Sequence, residues 1–375
     1  MQLAPTRDDT SVLGTSATRS AWLDYAKAIG MVLVVFGHAS RSVERTDGLV
    51  WSEALRFTDG IIYAFHMPLF FILAGVASAL AGSRSWQDEA RAVGFGIVLP
   101  YIVWSILWIV GKSAFPGSVN TPMTLDAVLQ LLWEPVEHMW FLYHLFVARV
   151  VWLLLDVTGL RTAPASGTLP LQAMLIAGAF VSAAAVYGDT HPWLMIGALI
   201  CNTAMFGIGL VFGPAIVGAV MESRRTAGAT VLAGSVGGFV LWNAFRPGDT
   251  SLMGDAVAIL GSMAVIALAV LLPKPRGAVL RAFAFIGEIS LAIYVMHPFV
   301  IGATRKALEL TGVLSETSLV VSATILGLAL PAIAYAAVLS ATATTGLALS
   351  KWMGLGARTR SHYIPLVLAA RSAPA

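Results

Sequence analysis

Ten stretches of this chain are apolar over lengths that suit a bilayer crossing: roughly 23–42, 57–81, 91–112, 139–158, 170–187, 193–220, 227–244, 252–272, 284–304 and 317–347. About 20 such residues make one helical span, and without water in the bilayer core the backbone must satisfy its own hydrogen bonds. The expected fold class is therefore all-α: a polytopic integral membrane bundle of about ten transmembrane helices. Charged residues make up 11% of the chain, against about 25% in soluble domains. No soluble domain fits between the runs. A net charge of +3 is too small to argue for a nucleic-acid partner. The single Cys201 excludes a disulfide framework.

The basic residues are better read as topology signals. If the N-terminus faces the cytosol, fifteen lysines and arginines fall on cytosolic segments and their flanks and seven on outer loops, with Arg149 inside a span. That asymmetry fits the positive-inside rule with both termini cytosolic. Splitting the glycine-rich run 193–220 into two spans would put the Lys274–Arg281 cluster outside, so one span is expected there. Residues 1–21 then form a cytosolic tail, 22–347 a transmembrane domain and 348–375 a second cytosolic tail. The polar first segment has no apolar core, so it reads as a tail and not a signal peptide.

The first span carries ionisable residues within an otherwise apolar helix. Eleven residues nearly close three helical turns, so Lys27 and His38 share one face about 16 Å apart. Ionisable groups in a membrane are costly and usually line a bundle interior or a substrate path. On the same depth arithmetic, His66 and His297 fall well inside their spans, with His138 and His144 at the outer end of the fourth. His297 is expected about 20 Å up a ninth helix counted from Ala284. A shared polar cavity is the simplest account, although a lone membrane histidine often serves only a helix–helix hydrogen bond. Arg149 needs an acidic partner, carbonyl oxygens or an anionic ligand. Glu288, near the inner end of the ninth helix, is either that partner or a separate acid. Asp24 and Lys27, three apart, have the spacing of a helix-surface ion pair. Motifs for phosphate loops, zinc ligands or serine triads are absent, and no metal is expected.

Five blocks carry a resemblance: WLDYAKAIGMVLVVFGH at 22–38, FHMPLFFILAGV at 65–76, ARAVGFGIVLPYIVWSI at 90–106, WFLYHLF at 140–146 and IGEISLAIYVMHPFV at 286–300. In this order they resemble the acyltransferase-3 family of integral membrane O-acyltransferases, and most closely its fucose 4-O-acetylase-like branch. The resemblance implies transfer of an acyl group, usually acetyl from acetyl-CoA, to a sugar hydroxyl at a bacterial plasma (inner) membrane. It implies that His38 is essential and that Lys27 contributes to the same site. The family's close arginine pair after the second helix is not reproduced; only Arg84 and Arg91, seven apart, stand there. They and Lys27 are the expected CoA contacts, and His66, His144, Arg149, Glu288 and His297 the expected substrate-side residues. The acceptor is a cell-envelope glycan or a lipid-linked sugar.

An imidazole can take the proton of an attacking hydroxyl, or can itself carry the acyl group. A secondary transporter or flippase with a buried histidine and arginine path is the alternative. The chain shows no internal repeat of the kind many transporters carry.

Overall fold

The computed structural model describes residues 16–82, 85–114, 123–157, 169–187, 193–213, 226–245, 252–345 and 349–355, with a few isolated positions besides, Tyr363 among them. Among the described residues the regular structure is helical and no strand occurs. The longer helices are α1 (Ser16–Glu44), α2 (Glu53–Leu80), α3 (Trp86–Val93), α4 (Leu99–Ala114), α5 (Ala127–Gln130, a short turn), α6 (Trp140–Val157), α7 (Leu169–Tyr187), α8 (Trp193–Val211), α9 (Thr226–Phe245), α10 (Leu252–Leu271), α11 (Ala278–Glu288), α12 (Ser290–Thr311), α13 (Glu316–Thr345) and α14 (Leu349–Trp352). Among the described residues helix lies within each of the ten apolar runs, while most of 214–220 falls outside the described residues. Among the described residues five helical stretches are long and apolar enough to cross a membrane, and α11 with α12 makes a sixth if counted as one broken span. α3 and α4 act as one such stretch, joined through a π-helical segment, Gly94–Val98.

α1 is the hub. It packs against α2, α10, α11, α12 and α13. Its sequence explains why it sits inside: with Asp24, Lys27, His38, Arg41 and Glu44 it would expose costly groups to lipid on any outer position. It starts at Ser16, ahead of the expected tail boundary at residue 21. α2 opens with a capped end, where the Ser52 hydroxyl accepts from the Leu55 amide and Glu53 sits in the first turn. α2 and α8 cross without side chains between them. A Cβ on Gly75 would strike the Phe206 carbonyl, and one on Gly209 the Ile72 carbonyl. Such small-residue contacts let membrane helices approach closely.

One expectation is corrected. The run 284–304 is not a single straight helix, because α11 meets α12 at 84° across Ile289, whose backbone (φ −100°, ψ 16°) breaks the helical path. Gly287 presses on the Asp24 carbonyl there, a contact that a side chain would fill. His297 therefore stands eight residues above the bend, about 12 Å along α12, not 20 Å above Ala284.

Contacts between distant elements sort to two ends. Near Lys27, the Tyr25 hydroxyl donates to the Pro273 carbonyl (3.0 Å) and the Tyr363 hydroxyl to Asp24 (2.7 Å). Near His38, Arg41 grips Asp59, Arg305 donates to the Arg45 carbonyl (3.2 Å) and the Ser52 amide to Glu316 (2.8 Å). Pro273, at the head of the Lys274–Arg281 loop, and Tyr363 thus lie together beside the first turns of α1.

Candidate functional site

Four histidines from different elements gather at the His38 end. The His38 and His297 rings are 5.0 Å apart between centroids and 66° inclined. His138, just before α6, lies 5.8 Å from His297. His66 joins through Tyr63, whose ring is 4.5 Å from His66 and 6.4 Å from His38. Asp59, Tyr63 and His66 fall at i, i+4 and i+7 on α2, which is why one helix face supplies all three. Arg41, one turn beyond His38, lays its guanidinium 3.1 Å over the Tyr63 ring. It also holds buried Asp59 through both carboxylate oxygens (3.0 and 3.1 Å).

Two of these rings are tied to the backbone. His66 Nδ1 lies 2.8 Å from the Ile62 carbonyl and His297 Nδ1 lies 3.0 Å from the Ile293 carbonyl. A carbonyl only accepts, so each Nδ1 carries the proton and each Nε2 a lone pair. In His297 and His138 the buried Nε2 has no partner.

Below the cluster lies a cavity of about 190 Å³. Lys27, Met31 and Val34 line it from α1, Phe70, Leu73 and Ala77 from α2, and Ser290, Leu291 and Tyr294 from α12. Along α1 the lining face continues from Val34 to His38, four residues on. Along α12 it continues from Tyr294 to His297, three residues on. The His38–His297 pair is the next layer above a passage that starts at Lys27. Lys27 is a fifth exposed (19%) and bonds Asp24 at 2.5 Å, so the expected ion pair exists and the ammonium still borders the cavity. Tyr294 closes the passage near the cluster, its hydroxyl donating to the His138 carbonyl.

The other expected site residues lie apart from the cluster. His144 is buried between α6 and α8, its Nδ1 2.9 Å from the Asn202 amide nitrogen. Arg149 bonds Glu89 and the Ser78 hydroxyl. Arg149 thus has an acidic partner in Glu89 on α3, and Glu288 is buried at the α11–α12 bend. Arg91 is exposed and bonds Asp88 at 3.6 Å. Arg84 lies outside the described residues. Sequence reasoning assigned no role to Tyr63, Asp59 or Tyr294, and it counted His138 in the shared cavity without giving it a part in the chemistry. The α2 spacing would have found the first two, but nothing local in the sequence points Tyr294 into the cavity.

The family model described as an acyltransferase domain, acyltransferase-3, matches residues 20–336. A curated relative, nodulation protein NolL of Mesorhizobium japonicum, is 27% identical over 204 residues, 52% of this chain and 51% of its own length. The chain thus spans about half of that relative. No solved structure matches.

Proposed function

Because this chain belongs to the acyltransferase-3 family, whose model covers residues 20–336, we propose that it is a membrane O-acyltransferase moving acetyl from acetyl-CoA to a hydroxyl of a cell-envelope glycan or lipid-linked sugar. We place it in the bacterial plasma membrane with both termini cytosolic. The observation that carries this reading is the apolar cavity lined from Lys27 to Val34 and Tyr294, one helical turn short of the paired His38 and His297 rings. An extended acyl-pantetheine arm suits such a narrow apolar passage, and a cation at its mouth suits the phosphates at the other end of CoA.

In this reading His38 is the base. As the acceptor oxygen bonds to the acyl carbon, its proton moves to a ring nitrogen of His38. The carbon–sulfur bond breaks with its electron pair on sulfur, and the same proton is returned to the thiolate. A transient acyl-imidazole on His38 gives the same products in two steps. His66 and Tyr63 are the nearest side chains on α2 for the acceptor, with Arg41 and Asp59 one turn further out. The transporter or flippase reading is not favoured, since the family is one of acyltransferases.

The experiment is acyl transfer in membranes holding the full chain. With acetyl-labelled CoA, label is expected in the glycan or lipid-linked sugar fraction, and none with His38→Ala inserted at equal amounts. Substrate crossing the membrane chemically unchanged, without label transfer, would return the question to transport.

A further inference from the structure

His297 is wholly buried, yet its Nε2 has no hydrogen-bond partner. Leaving a buried acceptor unmet costs about 1–3 kcal/mol, so an unmet group at a site points to a missing or displaced donor. The ring is not free to seek one by turning. Nδ1–H is engaged by the Ile293 carbonyl. α13 closes the space behind. A Cβ on Gly327 would meet the Val35 side chain at 2.8 Å and the His297 Cβ at 3.9 Å. What is left is one outward lone pair, and the nearest ring is that of His38 at 5.0 Å, against 5.8 Å for His138.

We propose that His297 is a positioning residue for His38: its Nε2 accepts one ring N–H of His38 and so fixes the tautomer that leaves the other His38 nitrogen free for the acceptor hydroxyl. This rests on the acyl-transfer reading of the site. A base oriented by a third group is the usual arrangement in nucleophilic and acyl-transfer sites, where that group is often a carboxylate. A neutral imidazole performs the same task inside a membrane without adding a charge. His297 takes no part in the bond changes and acts through His38 alone.

The test uses the full chain in detergent, with ¹⁵N in the histidine rings and the His38 signals identified by their loss in His38→Ala. In the wild type they should report a single tautomer. His297→Leu should turn them into a mixture and lower kcat by about 10²-fold or more, with the KM values for donor and acceptor little changed. His297→Gln, whose amide oxygen also accepts, should recover part of both. If the Leu variant does not fold, His297→Asn, whose amide is shorter, provides the same readings. His138→Phe should leave the His38 signals as they are. His38 signals indifferent to both the Leu and Asn variants would overturn the proposal, as would signals that move only with His138→Phe. A wild type that transfers no acyl group would sink the reading of the site, while the ring signals would still decide the hydrogen bond.

Discussion

At the Lys27 end of the bundle the basic side chains are met by nearby carboxylates: Lys27 by Asp24, Arg91 by Asp88, and Arg149 by Glu89 with the Ser78 hydroxyl. At the His38 end the imidazoles face mainly one another and aromatic rings, and two buried nitrogens have no partner. Both ends contain titratable groups inside a membrane bundle, so such groups alone do not mark a site. The difference lies in satisfaction. A paired cation is explained by its partner, whereas an oriented but unmet imidazole lacks only something to bind. The cavity has the paired cation of Lys27 in its wall and runs along α1 and α12 toward the unmet rings, to within one helical turn of them.

The largest expected effect breaks the His38 end alone. His38→Ala should reduce acyl transfer by at least 10² to 10⁴, the usual contribution of a general base, while the protein still inserts and purifies. Label-transfer rates on matched amounts of folded protein measure it, and near-normal turnover would remove the contrast between the two ends. Arg149→Leu tests the opposite character of the Lys27 end. It leaves Glu89 without its guanidinium, and losing one partner of a largely buried pair costs about 3–5 kcal/mol. The expected result is a lower midpoint of thermal unfolding and less inserted protein, with unchanged KM values in what remains. A selective rise in acceptor KM would instead make Arg149 a substrate contact.

Much of this contrast is legible in the sequence where geometry is local. The phase of Lys27 and His38 on one helix correctly puts both on the side that faces the cavity and the cluster. The depth of His66 and His297 within separate apolar runs anticipates their convergence. What the sequence does not carry is which way an almost uniformly apolar helix turns, because such a helix has no amphipathic stripe to orient it. That is why His144, one turn from WFLYHLF's start on α6, could be grouped with the others although it faces Asn202 on α8. The Arg149–Glu89 pair spans 60 positions and follows from helix packing, which no local pattern specifies. Hydropathy does not reveal the bend at Ile289, because apolar residues continue on both sides of it and the lone Glu288 does not interrupt a span-length run.

Lys27→Ala probes the junction between the two ends, and its expected effect is intermediate. The ammonium borders the cavity but is already neutralised by Asp24, itself buried and also bonded by Tyr363. Removing it deletes a donor for CoA phosphate and leaves Asp24 with one partner fewer. The apparent KM for acetyl-CoA should rise about tenfold, the size of one charge-assisted hydrogen bond of 1.5–3 kcal/mol reduced by competition from Asp24. The acceptor KM should stay where it was. Steady-state kinetics varying each substrate in turn reads both, and a matching rise for the acceptor would mean that the lysine only holds the helices in place.

Arg91→Ala should have the smallest effect, and it sharpens the comparison by testing charge without burial. Its side chain is 74% exposed and its contact with Asp88, three residues back on α3, is 3.6 Å long. Exposed pairs of this kind contribute about 0–1 kcal/mol, so stability should barely change. Arg91 does not line the cavity, which leaves it only a screened, long-range attraction for the anionic donor. Such attraction acts across about one Debye length, roughly 10 Å at 0.1 M salt, and weakens as salt rises. The donor KM of Arg91→Ala should therefore exceed the wild-type value by about twofold at low salt and converge on it at high salt. Lys27→Ala should keep more of its defect at high salt, because a direct bond at the cavity mouth is screened less. If Arg91→Ala instead raises the donor KM as strongly as Lys27→Ala and independently of salt, CoA reaches α3 directly, and the exposed side of the Lys27 end belongs to the donor site.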